Sequence, residues 1–128
     1  MGTIEKLRHD ALQVLRPPPS IPLSEWCETN ITIPQTSSAT PGKMRLWKFQ
    51  QGIADAMTDP GINEIVIQKS ARVGFSQLLM GFIAHTVAIN PCPILVTQPT
   101  TDDARAFSVD TEALFEASPS LRGLISDG

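Results

Sequence analysis

The sequence predicts a mixed α/β fold that is built on a parallel β-α-β unit. Two short apolar segments, residues 64–68 and 94–98, have the length and the Ile- and Val-rich composition of buried strands. An apolar segment of helical length, residues 76–90, separates them. A strand, a helix and a second strand in this order indicate a right-handed crossover between parallel strands.

Length and composition limit the other possibilities. The chain has 128 residues, of which 41 % are hydrophobic and 18 % charged, as expected for one modest folded domain. The net charge of −3 gives no basic surface for strong DNA binding by this segment. No run of 18 apolar residues is present, and the N-terminus has no apolar signal region, so we expect neither a membrane span nor a secretory signal.

The first part of the chain, residues 1–43, is predicted to be a helix followed by an irregular arm. Apolar residues at helical spacing predict a helix from Thr3, as its N-cap, to Arg16. The three prolines at 17–19 end this helix because proline cannot continue it. Residues 20–43 are expected to form the arm, with at most one edge strand and with Trp26 as an apolar anchor.

The second part, residues 44–128, is predicted to carry the β-α-β unit. A helix is expected over residues 44–57, before the first strand, and another over 76–90. After the second strand, Thr100 or Thr101 is predicted to cap a helix that continues towards Ala117. A parallel sheet of two strands cannot cover its own faces, so we expect the unit to be incomplete at its C-terminal end, as in a fragment or truncated product.

The turn after the first strand has the composition of a phosphate-binding loop. Residues 69–76 read Lys-Ser-Ala-Arg-Val-Gly-Phe-Ser, close to the P-loop pattern G-x-x-x-x-G-K-[ST]. Gly74 and Ser76 occupy the second glycine and the hydroxyl position, while Phe75 stands at the lysine position and Lys69 at the first glycine. Lys69 and Arg72 can supply the positive charge that phosphates need, because charge near the phosphates matters more than its position in the sequence.

An ordinary strand-to-helix turn is the alternative interpretation of the same residues. In that case Gly74 serves the turn, Ser76 caps the helix, and Lys69 and Arg72 are solvated; on the loop alone the two interpretations are evenly matched. Cys27 and Cys92 lack metal-ligand spacing and are expected to be reduced, buried thiols. His85, on an apolar helix, is expected to be a core residue and not a base.

These segments together resemble the GpA-type large subunit of tailed-phage terminases, the ATP-driven motors that package DNA. The resemblance covers residues 23–124 and is most specific at 69–76, which looks like that family's variant Walker A sequence with the lysine at the front of the loop. Weaker support comes from Leu23-Ser24-Glu25-Trp26, from Trp47-Lys48-Phe49-Gln50 after Pro41-Gly42, and from residues 98–104.

The resemblance implies a P-loop NTPase-like core that binds ATP and Mg²⁺. It assigns Lys69 to the ATP phosphates, Ser76 to Mg²⁺, and Trp47 or Phe49 to the adenine ring. The nucleotide-binding residues that it implies are Lys69, Ser70, Ala71, Arg72, Val73, Gly74, Phe75, Ser76, Trp47, Phe49 and Gln50. No catalytic residue can be named, because no acidic Walker B pair follows a later strand and the nuclease domain of the family is absent.

The resemblance also implies the setting in which the chain works. The intact motor would couple ATP hydrolysis to translocation of double-stranded viral DNA in the host cytoplasm. It would act as a homo-oligomer, together with the small terminase subunit and the portal. Two alternatives remain open: a non-catalytic prophage remnant or partner-binding fragment, and a helicase-like DNA-dependent ATPase.

Overall fold

A computed structural model describes residues 2–15, 20–36 and 40–125. These residues form a mixed α/β structure, which confirms the predicted class at that level. In chain order the elements are α1 (Thr3–Val14), α2 (Leu23–Asn30), β1 (Thr32–Ile33), β2 (Gly42–Lys43), α3 (Lys48–Met57), α4 (Phe75–Ile89), α5 (Thr101–Ala117) and a 3₁₀ turn (Pro119–Leu121).

The core lies where α2, α3 and α4 meet, and α5 closes it with the 3₁₀ turn. Trp26 in α2 is only 5 % exposed, so it anchors the arm as predicted. Its ring meets the edge of His85 in α4 at 5.1 Å between centroids. Burial lowers the pKa of His85, because a low-dielectric environment disfavours the charged imidazolium. The largest fully buried side chains are those of Leu23, Ile31, Met44, Leu78, Leu114 and Leu121.

The short antiparallel pair β1–β2 fixes the arm onto this core. Thr32 lies opposite Lys43, and Ile33 lies opposite Gly42. The Ser118 hydroxyl beyond α5 accepts a hydrogen bond from the Thr32 N–H at 2.9 Å. Because Ser118 itself is fully buried, this bond joins the arm to the C-terminal helix in a region without solvent.

The predicted helix over residues 44–57 is wrong in its first turn. Residues 44–47 continue the extended line of β2, and α3 begins only at Lys48. The reason is the two-residue alternation of burial: Met44 is 2 % and Leu46 9 % exposed, while Arg45 between them is exposed. The apolar residues at 44 and 46 therefore follow strand periodicity, and only those at 49, 53 and 57 follow helix periodicity.

The two predicted strands, residues 64–68 and 94–98, are not paired. Among the described residues, the sheet contains β1 and β2 alone, and both apolar segments lack regular secondary structure. The prediction that both faces are covered is also wrong, because Val66 is 86 % and Leu95 88 % exposed. Ile67 and Val96 are half-buried, so each segment presents one side to the helices and leaves the other side bare.

The prediction of an irregular arm with at most one edge strand over residues 20–43 is wrong, because this range contains helix α2 and both strands. The other helices differ from the predictions mainly at their ends. Helix α1 is capped by Gly2 and not by Thr3, it ends at Val14, and none of its residues is buried; Arg16 lies outside the described residues. Helix α5 is capped as predicted, with the Thr100 hydroxyl accepting from the Asp103 N–H at 3.1 Å. None of the described helices is long and apolar enough to cross a membrane.

The two cysteines have different environments, which corrects the expectation that both are buried. Cys27 is buried in α2, whereas Cys92 is exposed. Desolvation is the largest cause that raises the pKa of Cys27, to about 12, and the charges of Glu28 and Asp55 add to it. The Cys27 thiol is therefore protonated at neutral pH and behaves as a small apolar group.

Candidate nucleotide-binding loop

The loop between the first apolar segment and α4 has two residues in the left-handed region of backbone space. Arg72 has φ 60° and Gly74 has φ 73°. Gly74 is also the N-cap of α4, and residues 71–74 form a turn immediately before the helix begins. A left-handed conformation costs little for glycine and more for arginine, so the surrounding structure must hold Arg72 in place.

Gln50 provides such a support by joining the loop to the start of α3. Its Oε1 accepts from the Trp47 N–H at 2.9 Å, and its Nε2 donates to the Val73 carbonyl oxygen at 2.8 Å. The side chain is only 7 % exposed. A Cβ atom on Gly74 would lie 2.7 Å from Nε2, so a larger residue there would push the Gln50 amide aside, in addition to the strain of the positive φ. Both polar atoms of the Gln50 amide are thus engaged by backbone groups.

An open cavity of about 600 Å³ lies on the arm side of the loop. It is lined by residues between Thr40 and Gln50, without Gly42 and Lys48, and by Arg72, Val73, Gly74 and Gln77. Its volume is in the range that holds small-molecule ligands. No carboxylate lines it among the described residues, so the side chains of Lys43, Arg45 and Arg72 give it a positive character.

A smaller, neighbouring cavity of about 240 Å³ lies against α3. Lys69 and Ser70 line it together with Phe49, Gln50 and Phe75. The Lys69 ammonium lies 5.9 Å from the centroid of the Phe75 ring, within reach of a cation–π contact. Phe75 is half-buried and packs against the core, as expected for a residue that has replaced the usual lysine.

The structure therefore brings some of the predicted site residues together and separates others. Arg72 and Gly74 line the larger cavity and Lys69 lines the smaller one, so the two cations of the loop belong to different, neighbouring cavities. Ser76 is exposed in the first turn of α4, and Ser70 and Ala71 are exposed in the loop. The Ser76 hydroxyl is therefore accessible to a ligand.

The two aromatic candidates lie next to each other at the start of α3. Their ring centroids are 6.2 Å apart, with the planes tilted by 55°. Trp47 is 72 % exposed and Phe49 53 % exposed, although both belong to an otherwise well-packed part of the molecule. Only Phe49 also lines the smaller cavity, whereas Trp47 belongs to the larger one.

Two residues of the larger cavity, Lys43 and Arg45, were not among the predicted site residues. They were missed because residues 44–57 were predicted as one helix, which would scatter positions 43, 45 and 47 around its surface. The signal that could have found them is the alternation Lys-Met-Arg-Leu-Trp over residues 43–47, which places the two cations and Trp47 on one side of an extended segment.

The donor groups of the loop suit phosphate better than they suit an isolated metal ion. No group of three or more His, Cys, Asp or Glu side chains that could hold a metal occurs among the described residues. Mg²⁺ in nucleotide sites keeps several waters and takes one or two protein ligands together with phosphate oxygens. The exposed hydroxyl of Ser76, at the start of α4, has the chemistry of such a protein ligand.

Comparison with known proteins identifies related sequences. The family model described as the ATPase domain of the phage terminase large subunit gpA matches residues 38–128. The large terminase subunit of Escherichia phage lambda is 32 % identical over 126 residues, covering 94 % of this chain and 20 % of the lambda protein. That of Enterobacteria phage P21 is 31 % identical over 109 residues, covering 77 % of this chain and 17 % of its own length. No solved structure matches the chain.

These relationships cover the parts of the chain that carry the site. The matched range includes the extended segment 43–47, the start of α3, the loop and α4. The chain spans about a fifth of the length of the lambda relative. With the family model matching residues 38–128 and a relative 32 % identical over most of the chain, this chain belongs to the phage terminase large subunit family and contains sequence of its ATPase domain.

Proposed function

We propose that this chain is the ATP-binding part of a viral DNA-packaging motor. In the longer protein it would couple ATP hydrolysis to translocation of double-stranded DNA. The observation that carries the proposal is the match of the ATPase-domain model to residues 38–128, which include the left-handed loop at Arg72 and Gly74. A loop of this kind directs backbone N–H groups towards an anion at the start of a helix.

Within this site, each group of the loop has a proposed role. Lys69 and Arg72 supply positive charge to the phosphates from the two neighbouring cavities, and the Ser76 hydroxyl takes a place on Mg²⁺. The bound ion supplies neutralisation of phosphate charge. Gln50 positions the loop through Val73, and the backbone at residues 70–75 forms the cradle. Hydrolysis requires a further carboxylate to orient water, and no carboxylate lines either cavity among the described residues.

We further propose that residues 64–68 and 94–98 become parallel strands of a P-loop core when additional strands of the longer protein join them. Their alternating exposure supports this, together with the apolar side of each segment: Ile67 lines a cavity with Ile53 and Leu78, and Val96 lines one with Ile83 and Phe107. Residues 44–128 would then form the opening of the ATPase domain, and residues 1–43 an N-terminal helix and arm. Backbone amide exchange at 64–68 should be fast in this chain and slow in the longer protein.

The remaining partners follow from the proposed motor. The small terminase subunit and the portal would contact the full-length protein, which would work as a homo-oligomer in the host cytoplasm. Double-stranded DNA would be gripped mainly by other parts, since this segment has a net charge of −3.

Nucleotide binding by site variants tests the proposed function. Lys69→Ala and Ser76→Ala should each weaken MgATP binding about tenfold or more, because each removes a charged or metal contact to the phosphates. Lys48→Ala is the matched control, since Lys48 is an exposed cation that lines neither cavity. Isothermal titration of the 128-residue chain and of the longer protein measures the affinities. Unchanged affinity in both loop variants would remove the assignment and leave a partner-binding role.

A further inference from the structure

The segment before α3 presents a row of three exposed side chains. Lys43, Arg45 and Trp47 are exposed, while Met44 and Leu46 between them are 2 % and 9 % exposed. Successive side chains of an extended backbone point to opposite sides, so the three exposed side chains share one side. We call Lys43, Arg45 and Trp47 the arm row.

The backbone under the arm row is held at several points. Lys43 belongs to β2 and pairs with Thr32 of β1. The Met44 N–H donates to the Ile31 carbonyl at 3.0 Å, and the Leu46 N–H donates to the Glu28 carboxylate at 2.9 Å. With the Gln50 bond to the Trp47 N–H, the whole segment is fixed to α2, β1 and α3. The backbone of the row is therefore preformed, and only its side chains need ordering when a ligand arrives.

The arm row lines the larger cavity together with Ile33, Met44 and Leu46, and the loop lines it as well. Arg72, Gly74 and Gln77 line the same 600 Å³ space. No ion pair joins Lys43, Arg45 or Arg72 to a carboxylate of the described residues, and no carboxylate lines the space. Three unpaired cations beside an exposed indole ring are complementary to a ligand that carries both negative charge and an aromatic ring.

We propose that the arm row is the second wall of the nucleotide site, so that a nucleoside triphosphate lies between the row and the loop. Lys43 and Arg45 contact the polyphosphate from the side opposite the loop backbone, and Trp47 stacks on the base. This inference rests on the proposed function and adds to it two cations from outside the loop, Lys43 and Arg45. It also chooses Trp47 over Phe49 as the base-stacking residue, since Trp47 belongs to this cavity alone.

Tryptophan fluorescence tests the base contact directly. The chain has two tryptophans, of which Trp26 is 5 % and Trp47 72 % exposed. Titration with MgATP should quench the emission of Trp47, whereas inorganic tripolyphosphate, which lacks a base, should quench it far less. In Trp47→Phe the remaining Trp26 emission should not respond to MgATP. A nucleotide-dependent signal that persists in this variant would overturn the stacking assignment.

Charge removal tests the polyphosphate contacts. Lys43→Ala and Arg45→Ala should each weaken the binding of MgATP and of tripolyphosphate to a similar extent, about three- to tenfold. Trp47→Ala should weaken MgATP binding and leave tripolyphosphate binding unchanged. Lys48→Ala serves as the control, because Lys48 neighbours the row and does not line the cavity. All four side chains are exposed, so the variants should fold normally, as circular dichroism would show.

The outcomes separate this inference from the proposed function. If Lys69→Ala and Ser76→Ala lose MgATP binding while the arm-row variants keep it, the inference is wrong and the nucleotide site stands. If neither the unmodified chain nor the longer protein binds nucleotide, the proposed function is wrong, and the inference that rests on it is wrong as well. If Lys43→Ala and Arg45→Ala retain MgATP affinity but lose affinity for a short single-stranded DNA, the row contacts DNA and the inference is overturned.

Discussion

At the scale of single residues, the Gln50 amide contributes more to the structure of the loop than its position on an amphipathic helix suggests. It accepts from the Trp47 N–H and donates to the Val73 carbonyl, and it is nearly buried. Removing it leaves a backbone donor and a backbone acceptor without partners. An unsatisfied buried group costs about 1–3 kcal/mol, which is a large part of the stability of a small domain.

Gln50→Ala should therefore lower the free energy of unfolding by about 1–3 kcal/mol and weaken nucleotide binding by loosening the loop. Urea denaturation and calorimetric titration measure the two effects. Gln51→Ala is the control, because the Gln51 amide makes only a long bond of 3.4 Å, to the Leu46 carbonyl. Equal stability of the two variants would show that the Val73 bond contributes nothing.

Gln50→Glu separates the two hydrogen bonds of this residue. The glutamate can still accept from the Trp47 N–H, but its ionised carboxylate faces the Val73 carbonyl oxygen and repels it. Since protonation restores a donor, we expect the defect in this variant to diminish as the pH is lowered, when stability is compared with that of the unmodified chain at each pH. A defect that is independent of pH would contradict this account.

The turn at Gly74 and the helix after it were the most predictable part of the site. The composition of residues 69–76 was sufficient to predict a turn with Gly74 as its flexible point and a helix directly after it, as observed. The sequence could not show that Lys69 and Arg72 face different cavities. That separation depends on the left-handed conformation of Arg72 and on the contact between Lys69 and the Phe75 ring, both of which are set by the packing of α3 against the loop.

At the scale of elements, α2 and α4 approach each other closely at Gly81. A Cβ atom at Gly81 would lie 2.8 Å from the Cys27 Sγ and 3.3 Å from the Ile31 Cδ1. Glycine in a helix interior is unfavourable relative to alanine by up to about 1 kcal/mol, so its presence in α4 needs a reason. The reason is the short distance between the two helices.

Gly81→Ala should destabilise the fold, because overpacking costs about 1–3 kcal/mol and exceeds the gain in helix propensity. Gly52→Ala in α3 is the matched control: its Cβ would meet nothing within 4 Å, so it should stabilise by up to about 1 kcal/mol. Thermal denaturation of both variants gives the comparison. Stabilisation by both substitutions would mean that α2 and α4 can separate freely.

Element types were predictable where one periodicity dominates, and their boundaries were not. The apolar run of α4 and the capped start of α5 were recognised, because each has one clear pattern. Residues 44–57 combine a strand period and a helix period, and the prediction wrongly extended the helix over residues 44–47. The alternation over residues 43–47 was the local signal of the extended conformation. The hydrogen bonds that hold it, from the Met44 N–H to the Ile31 carbonyl and from the Leu46 N–H to Glu28, join distant parts of the chain and could not be predicted from the sequence.

At the scale of the whole molecule, the bare sides of residues 64–68 and 94–98 are the main departure from an ordinary folded domain. Val66 and Leu95 have 86 % and 88 % of their surface exposed, although both are strongly apolar. Strand formation was predicted from composition, but a strand also needs a neighbour to accept and donate its backbone hydrogen bonds. The composition of these segments indicates that they suit a buried, paired strand, and the residues that the structure describes provide no neighbouring strand for them.

Val66→Lys and Leu95→Lys should leave the stability of this chain almost unchanged and reduce its self-association. Each side chain contributes little to the core here, and exposed apolar surface promotes aggregation. Sedimentation at increasing concentration measures association, and urea denaturation measures stability. In the longer protein the same substitutions should be strongly destabilising if further strands and helices cover these segments. Equal tolerance in both proteins would contradict the proposed core.

The tight fit of Gly81 against Cys27 also provides a built-in kinetic probe. An alkylating reagent cannot reach the Cys27 sulfur unless α2 and α4 move apart, and the protonated thiol reacts slowly even then. Cys92, on the surface, reacts without any such opening and serves as an internal reference in the same tube. The ratio of the two labelling rates would report how often these helices separate, both with and without nucleotide. The measurement needs no dye or tag engineered into the chain.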